Sequence, residues 1–308
     1  MLRCIVAACV VAAMSVSASA QDRLTVLLDW FINPDHAPLY IAQARGEFKS
    51  RNLEVNFVAP ADPAAPPRLV ATGNGDIAIT YQPNLYQQAE AKLPVSRIGT
   101  LVSSPLNTVV ALSDGPIQSL SDLKGKTVGY SVGGFEEAIL AAMLETVDLS
   151  LDDVRLVNIN FALTPALLSG RVDAVVGAFR NFELTQIKLE GREGRAFFPE
   201  EHGVPMYEEL IFIAKNDRLG EAAFSRFLDA VGAAAQWQAD NPEEAKALFF
   251  TTLPDIDNEL NQQAFVDTLP KFALDPRPLD VAVYDRFATF MTDAGLVKDL
   301  PPLQTYAT

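Results

Sequence analysis

Short apolar runs of strand length alternate with segments of helical periodicity along most of this chain, and that alternation constrains its fold more than any other feature. Residues 24–28, 53–58, 76–80, 95–102 and 107–112 read as strands. Between them 36–44, 63–72 and 82–92 read as helices, with Gly46 and Gly73 as stops and prolines confined to first turns. The pattern restarts with 127–130 as strand, 135–147 as an apolar-faced helix and 154–159 as strand. Alternation of this kind builds parallel sheets from βαβ units. Beyond Arg218 the pattern turns mostly helical, over 220–239, 242–250, 259–272 and 279–294, and these helices are expected to pack back on the first lobe.

A faint internal echo joins the two halves. LVATGNGDIAIT at 69–80 and ALLSGRVDAVVGA at 166–178 both run helix end, glycine, aspartate, short apolar strand. Gly73 pairs with Gly170 and Asp76 with Asp173. Any helix-to-strand connection suits a glycine stop and a polar residue, so the echo gains weight only with the restart beside it. Together they predict two similarly built lobes around one cleft.

The N-terminus supplies the compartment. Arg3 precedes an apolar run from Cys4 to Val16, and Ala18-Ser19-Ala20 has the small-residue pattern of a signal-peptidase site, so residues 1–20 read as a secretory signal cut after Ala20. Val6-Ala7-Ala8-Cys9 leaves too little apolar sequence ahead of Cys9 for a lipoprotein signal. Both cysteines then leave with the signal, and the mature chain is expected to carry no disulfide, thiolate nucleophile or thiolate metal site. No later apolar run approaches the roughly 18 residues that cross a bilayer, so a soluble, periplasmic product is expected. The net charge of −15, or −16 without Arg3, argues against nucleic acid and anionic membranes as partners.

Polar residues gather where the strands end. The stretch LDWFINPDHAPLYIAQARGEF at 28–48 places Asp29, Trp30, Asn33 and His36 just after a strand, and in open α/β sheets ligands sit outside the carboxyl ends of strands. Tyr81 follows the next strand. Ser131-Val132-Gly133-Gly134-Phe135-Glu136-Glu137 also leaves a strand and opens a helix, so the backbone at Gly133 and Gly134 can approach a ligand closely. Asn181 and Glu183 occupy a further strand-to-helix junction, after a small-residue strand end, Gly177-Ala178, that leaves room for a guest. Each has a plainer role open to it: Asp29 caps the turn or pairs with His36, His36 is structural, Trp30 fills a core, and Glu136 or Glu137 merely meets a helix dipole.

Catalytic schemes find little support. The glycine pair lacks GxGxxG spacing and the Gly-Lys-Ser/Thr of a P-loop, and there is no GxSxG elbow. With only His36 and His202, neither a His-rich metal site nor HExxH is available. The acidic pairs Asp152-Asp153, Glu200-Glu201 and Glu208-Glu209 read as solvated loop charges.

These segments resemble the family of periplasmic substrate-binding proteins typified by ThiY, which also includes the yeast pyrimidine synthase of thiamine biosynthesis. The matching runs are 28–48, GDIAITYQP at 75–83, LKGKTVGYSVGGFEEAIL at 123–140, GRVDAVVGAFRNFE at 170–183 and HGVPMYEELIFIAKND at 202–217. The resemblance implies a type II periplasmic binding protein, two α/β lobes joined by a two-crossing hinge near 107–113 and 208–214. Residues 21–110 with 214–308 would form the first lobe and 111–213 the second. It further implies a noncatalytic protein that captures a thiamine-precursor pyrimidine, of formylaminopyrimidine or hydroxymethylpyrimidine type, and delivers it to an ABC permease without a cofactor.

Such a ring needs an aromatic face, acceptors for its amine and donors for its ring nitrogens. Trp30 and Tyr81 offer faces; Asp29, Glu136, Asn181 and Glu183 offer polar partners. A sulfonate, nitrate or flavin-like solute is the competing reading, and Arg180 is the feature that favours an anion. The synthase branch carries a CCCFC motif and a histidine that is consumed; here 204–211 replaces the motif and Asn84 falls at the histidine position.

Overall fold

The structure, a computed structural model, describes residues 21–308, and the expected signal at 1–20 lies outside the described residues. The chain opens with β1 (Asp22–Leu27), α1 (Ala37–Ala44), α2 (Glu47–Ser50), β2 (Leu53–Val58), α3 (Pro66–Ala71), β3 (Ile77–Thr80), α4 (Gln82–Glu90) and β4 (Val95–Val102). It crosses to a second body of β5 (Asn107–Leu112), β6 (Thr127–Tyr130), α5 (Phe135–Glu145), β7 (Arg155–Asn158), α6 (Leu163–Leu168), β8 (Ala174–Phe179), α7 (Glu183–Leu189) and β9 (Gly194–Phe197). It then returns as β10 (Leu210–Lys215), followed by α8 (Ala222–Asp240), α9 (Pro242–Thr252), α10 (Glu259–Thr268) and α11 (Val281–Asp293).

Two five-stranded sheets result, ordered β2-β1-β3-β10-β4 and β7-β6-β8-β5-β9. The orders are the same once each crossing strand is matched to the other. β1 pairs in parallel with β2 and β3, as β6 does with β7 and β8, whereas β10 and β5 run antiparallel to both of their neighbours. The segments expected to be hinge, near 107–113 and 208–214, therefore largely enter sheets, and the expected lobe limits at 110/111 and 213/214 fall inside β5 and β10.

The internal echo corresponds to a shared clip. Asp76 accepts the Thr25 N–H of β1 on Oδ2 (2.6 Å) and returns its own N–H to the Thr25 carbonyl (2.9 Å). Asp173 does the same with Thr127 of β6, at 2.8 Å in both directions. Gly73 and Gly170, with φ of 80° and 71°, end the preceding helices in the left-handed region where glycine is at ease.

The helix expected at 63–72 begins only at Pro66, because Asp62 turns the chain by accepting the Ala64 N–H on its side chain. The C-terminal helices do pack on the first sheet's body. α8 presents Phe224, Phe227, Leu228 and Val231 at helical spacing and rests on α1 and α2, while α10 reaches α7 of the second body. Expectation fails at Glu208-Glu209, which are not solvated. Glu209 is fully buried, and its Oε2 accepts the N–H groups of Leu106 and Asn107 from the other crossing and the Tyr207 hydroxyl. Glu208 takes the Tyr284 hydroxyl (2.6 Å) beside the buried Arg97. Glu200 likewise holds Arg180 through both terminal guanidinium nitrogens.

Candidate functional site

Because the two sheets share one topology, the loops after β1 and β3 face the loops after β6, β7 and β8. Between them lies a tight cleft, with a free volume of about 20 Å³, lined by Asp29, Trp30, Asn33, Asp35, Tyr81, Glu136, Leu163, Gly177, Phe179, Phe182 and Glu183. Five of the expected site residues meet here: Asp29, Trp30, Tyr81, Glu136 and Glu183.

After β1, Asn33 accepts the Asp35 N–H (2.7 Å) and starts a tight 3-10 turn, Pro34–His36, that runs into α1. The turn aims Asp35 at the cleft and sends His36 beneath it. The His36 Nδ1 accepts the Asn33 N–H, so Nε2 donates to Asp29 Oδ1 (2.9 Å). Asp29 Oδ2 accepts the Tyr81 hydroxyl (3.0 Å). His36 is completely buried and does not line the cleft; it orients Asp29 from behind. Burial first, then the charges of Asp29 and Glu136, hold the Tyr81 phenol far above its ordinary range, so Tyr81 stays neutral and donates.

Aromatic faces close across the cleft in two places. Tyr81 stacks on Phe135 at 4.7 Å between centroids. Half-buried Trp30 stands edge-on to Phe161 at 4.6 Å, and Phe31 lies 5.9 Å from Phe182. Phe31, Phe161, Phe179 and Phe182 were not singled out from sequence, although Phe179 and Phe182 sit inside the matching run at 170–183.

The second lobe contributes its carboxyl groups in a common manner. Glu136 Oε2 accepts the Ser131 N–H (2.6 Å), and Glu183 Oε2 accepts the Phe179 N–H (2.7 Å). Both groups are buried, and burial is the main reason their pKa values rise: Glu136 well above the carboxylate range, Glu183 to about 8 with Asp35 adding. The small Gly177 makes room for Glu136 rather than for a guest, since a Cβ there would lie 2.3 Å from that carboxyl group.

Asp35 escaped sequence reasoning, though its place two residues after Asn33 is a turn signature. Its Oδ1 accepts from Asn181 Nδ2 (2.6 Å) and from Thr268 (2.8 Å), and burial raises its pKa to about 6 against those bonds. Asn181 is thus a link between lobes, not part of the lining. Gly133 and Gly134 also fall outside the lining. Gly134, at a φ of 86°, caps α5, and its carbonyl accepts Gln87 Nε2 (2.8 Å) from the first lobe.

Arg180, the residue that favoured an anion, is held by Glu200 and by the carbonyls of Leu106 and Asn107, over the Phe198 ring. Among the described residues no group of three His, Cys, Asp or Glu side chains is arranged to hold a metal ion, and no helix is long and apolar enough to cross a membrane.

Two lobes of matching topology with a lined cleft between them define a type II periplasmic binding protein fold. The alkanesulfonate-binding protein SsuA of Xanthomonas axonopodis pv. citri, bound to MOPS, shares it with a TM-score of 0.72 at 16% identity, covering 94% of this chain and 99% of that one. The chain belongs to the NMT1/THI5-like family, whose model matches residues 33–245.

A Haemophilus influenzae protein named for thiamine biosynthesis is 48% identical over 96% of this chain and 94% of its own length. The formylaminopyrimidine-binding protein of Halalkalibacterium halodurans is 34% identical, over 81% of this chain and 76% of its own. A 4-amino-5-hydroxymethyl-2-methylpyrimidine phosphate synthase of Legionella pneumophila is 28% identical, over 83% of this chain and 82% of its own. Fold and relatives together support a solute-binding role.

Proposed function

We propose that this protein is the extracytoplasmic solute-binding component of an ABC importer and that it captures a thiamine-related pyrimidine, of formylaminopyrimidine or hydroxymethylpyrimidine type. The observation that carries the reading is the pairing, in one cleft, of aromatic walls from Trp30, Tyr81, Phe179 and Phe182 with the carboxyl groups of Glu136 and Glu183. Each carboxyl group is anchored to its own lobe through Oε2, Glu136 by the Ser131 N–H and Glu183 by the Phe179 N–H. An aminopyrimidine matches such a group: its exocyclic amine donates to the carboxyl oxygen, and its ring nitrogen accepts when the group is protonated. The 34% identity to a formylaminopyrimidine-binding protein supports the same ligand class.

In this reading the ring enters between the lobes, the loops bearing Glu136 and Glu183 close over it, and permease subunits recognise the closed form in the periplasm after the leader is removed behind Ala20. Contacts made only on closure supply the differential affinity that shifts the population. The protein performs no chemistry on its solute. The anion alternative is disfavoured because Arg180 is held by Glu200 and the lining charges are carboxyl groups.

Titration calorimetry with formylaminopyrimidine is the direct test. Trp30→Ala is expected to weaken binding by ten- to a hundredfold, if the indole face contributes about 1–3 kcal/mol. An unchanged dissociation constant in that variant would remove Trp30 from the site, and absence of heat with the unaltered protein would remove the pyrimidine.

A further inference from the structure

Of the two matching clips, only that of the first lobe is preceded by a reactive pair. Where the second lobe reads Gly170-Arg171-Val172-Asp173, the first reads Gly73-Asn74-Gly75-Asp76, and this is the one Asn-Gly pair in the chain. Asn74 is exposed; its Nδ2 donates to Thr72 Oγ1 (2.9 Å), and its N–H goes back to the Leu69 carbonyl (2.8 Å). The Gly75 N–H has no acceptor among the described residues, whereas the equivalent Val172 N–H reaches the Ala166 carbonyl (3.3 Å). Glycine at 75 is a packing requirement, since a Cβ there would lie 2.8 Å from two side-chain carbons of the buried Leu27. The fold therefore keeps an unhindered, unbonded nitrogen beside an exposed amide side chain.

Asparagine is thermolabile because the backbone nitrogen that follows it can attack its side-chain carbonyl carbon. Here solvent hydroxide removes the Gly75 proton, the nitrogen bonds to Asn74 Cγ, and the Cγ–Nδ2 bond breaks as ammonia leaves with a proton from water. The product is a five-membered cyclic imide. Water then opens the ring. Where it cleaves the bond from the nitrogen to the original backbone carbonyl carbon, the main chain runs on through Cγ as isoaspartate. One water is consumed and one ammonia released, with nothing oxidised or reduced. The chain gains a backbone carbon and a carboxylate just ahead of Asp76, whose N–H and Oδ2 must both meet Thr25 and whose Oδ1 pairs with Arg218.

We propose that Asn74 is a self-modification site: attack by the Gly75 nitrogen converts it to isoaspartate and releases the clip of the first lobe while that of the second persists. Water is the only co-reactant.

The purified protein is incubated in mildly alkaline buffer below its melting temperature, sampled over time and digested with trypsin. Cleavage after Arg68 and Lys92 isolates 69–92, which holds both Asn74 and Asn84. Asn84 precedes Leu85, whose side chain hinders the same attack, and so serves as an internal standard. Asn74 is expected to gain one dalton at least about tenfold faster than Asn84, with isoaspartate identified by fragmentation. In the converted protein, amide exchange at Thr25 is expected to quicken while that at Thr127 does not. Asn74→Gln, whose longer side chain would have to close a six-membered ring, is expected to keep Thr25 protected throughout. Conversion of Asn74 no faster than of Asn84 overturns the site. Conversion that leaves Thr25 as protected as before overturns the release of the clip, and so does quickened exchange at both threonines that Asn74→Gln fails to prevent.

Discussion

Glu183 shows how one side chain can couple a binding cleft to solution conditions. Its carboxyl group is buried and faces Asp35 from the opposite lobe, and burial above all pushes its pKa up to about 8 against the bond it accepts from the Phe179 N–H. Asp35 is pushed to about 6 and Glu209, at the crossing, to about 7, each chiefly by burial. A folded-state pKa above the unfolded value means that the folded protein holds the proton more tightly. The stability this gives is complete below the unfolded carboxyl range near pH 4 and is lost as pH rises through about 6 to 8. The unliganded protein is therefore expected to melt at higher temperature at pH 5 than at pH 8.5, with Glu183→Gln flattening the alkaline part of the decline. A melting temperature that climbs steadily from pH 5 to 8.5 would refute this. The site's polar residues were legible because a charged side chain at the end of an apolar strand stands out. Asp35, Phe161 and Phe179 were not, because their roles depend on which loops of the opposite lobe they meet.

At the scale of elements, β-strands were the easiest features to read. Short runs rich in β-branched, aliphatic or aromatic residues and bounded by turn formers leave little choice, and β2, β4, β5 and β6 begin and end where their patterns do. What the pattern did not carry was the environment of the crossings. Adjacent acids such as Glu208 and Glu209 look solvated in a local reading, and only the return of the chain past Leu106, Asn107 and Tyr284 supplies the donors that bury them. The twin clips at Asp76 and Asp173 are the element-level device that sets β1 against β3 and β6 against β8. Asp173→Ala leaves the Thr127 N–H without its acceptor and is expected to cost about 1 kcal/mol, read as a lower urea midpoint. Asp76→Ala should cost more, since the same carboxylate also pairs with Arg218. Equal midpoints for both variants and the unaltered protein would show that the clips are ornamental.

The whole molecule is drawn shut. Asn181 reaches from one lobe to Asp35 and Thr268 on the other, Gln87 reaches back to Gly134, and Tyr81 stacks on Phe135 across the gap. Asn181→Ala removes two of these ties, each worth about 1–3 kcal/mol where a charged acceptor is involved. The variant is expected to show a larger radius of gyration than the unaltered protein by small-angle scattering without ligand, and to contract on adding formylaminopyrimidine. Identical unliganded scattering would show that Asn181 does not govern closure. The two-lobed plan itself was legible from the restart and the echo, but which side chains bridge the lobes was not, because a bridge pairs residues far apart in the chain. One feature of the sheets bears on how the protein comes into being. β4 has β10 as its ladder neighbour, and β10 emerges only after a whole lobe has been synthesised. An incomplete first sheet is thus left with an orphaned strand until late in synthesis, and non-local pairing of this sort is slow. Delayed maturation of that kind keeps a nascent polypeptide threadable, which is the condition a chain must satisfy if it is to pass through an export channel before it assembles.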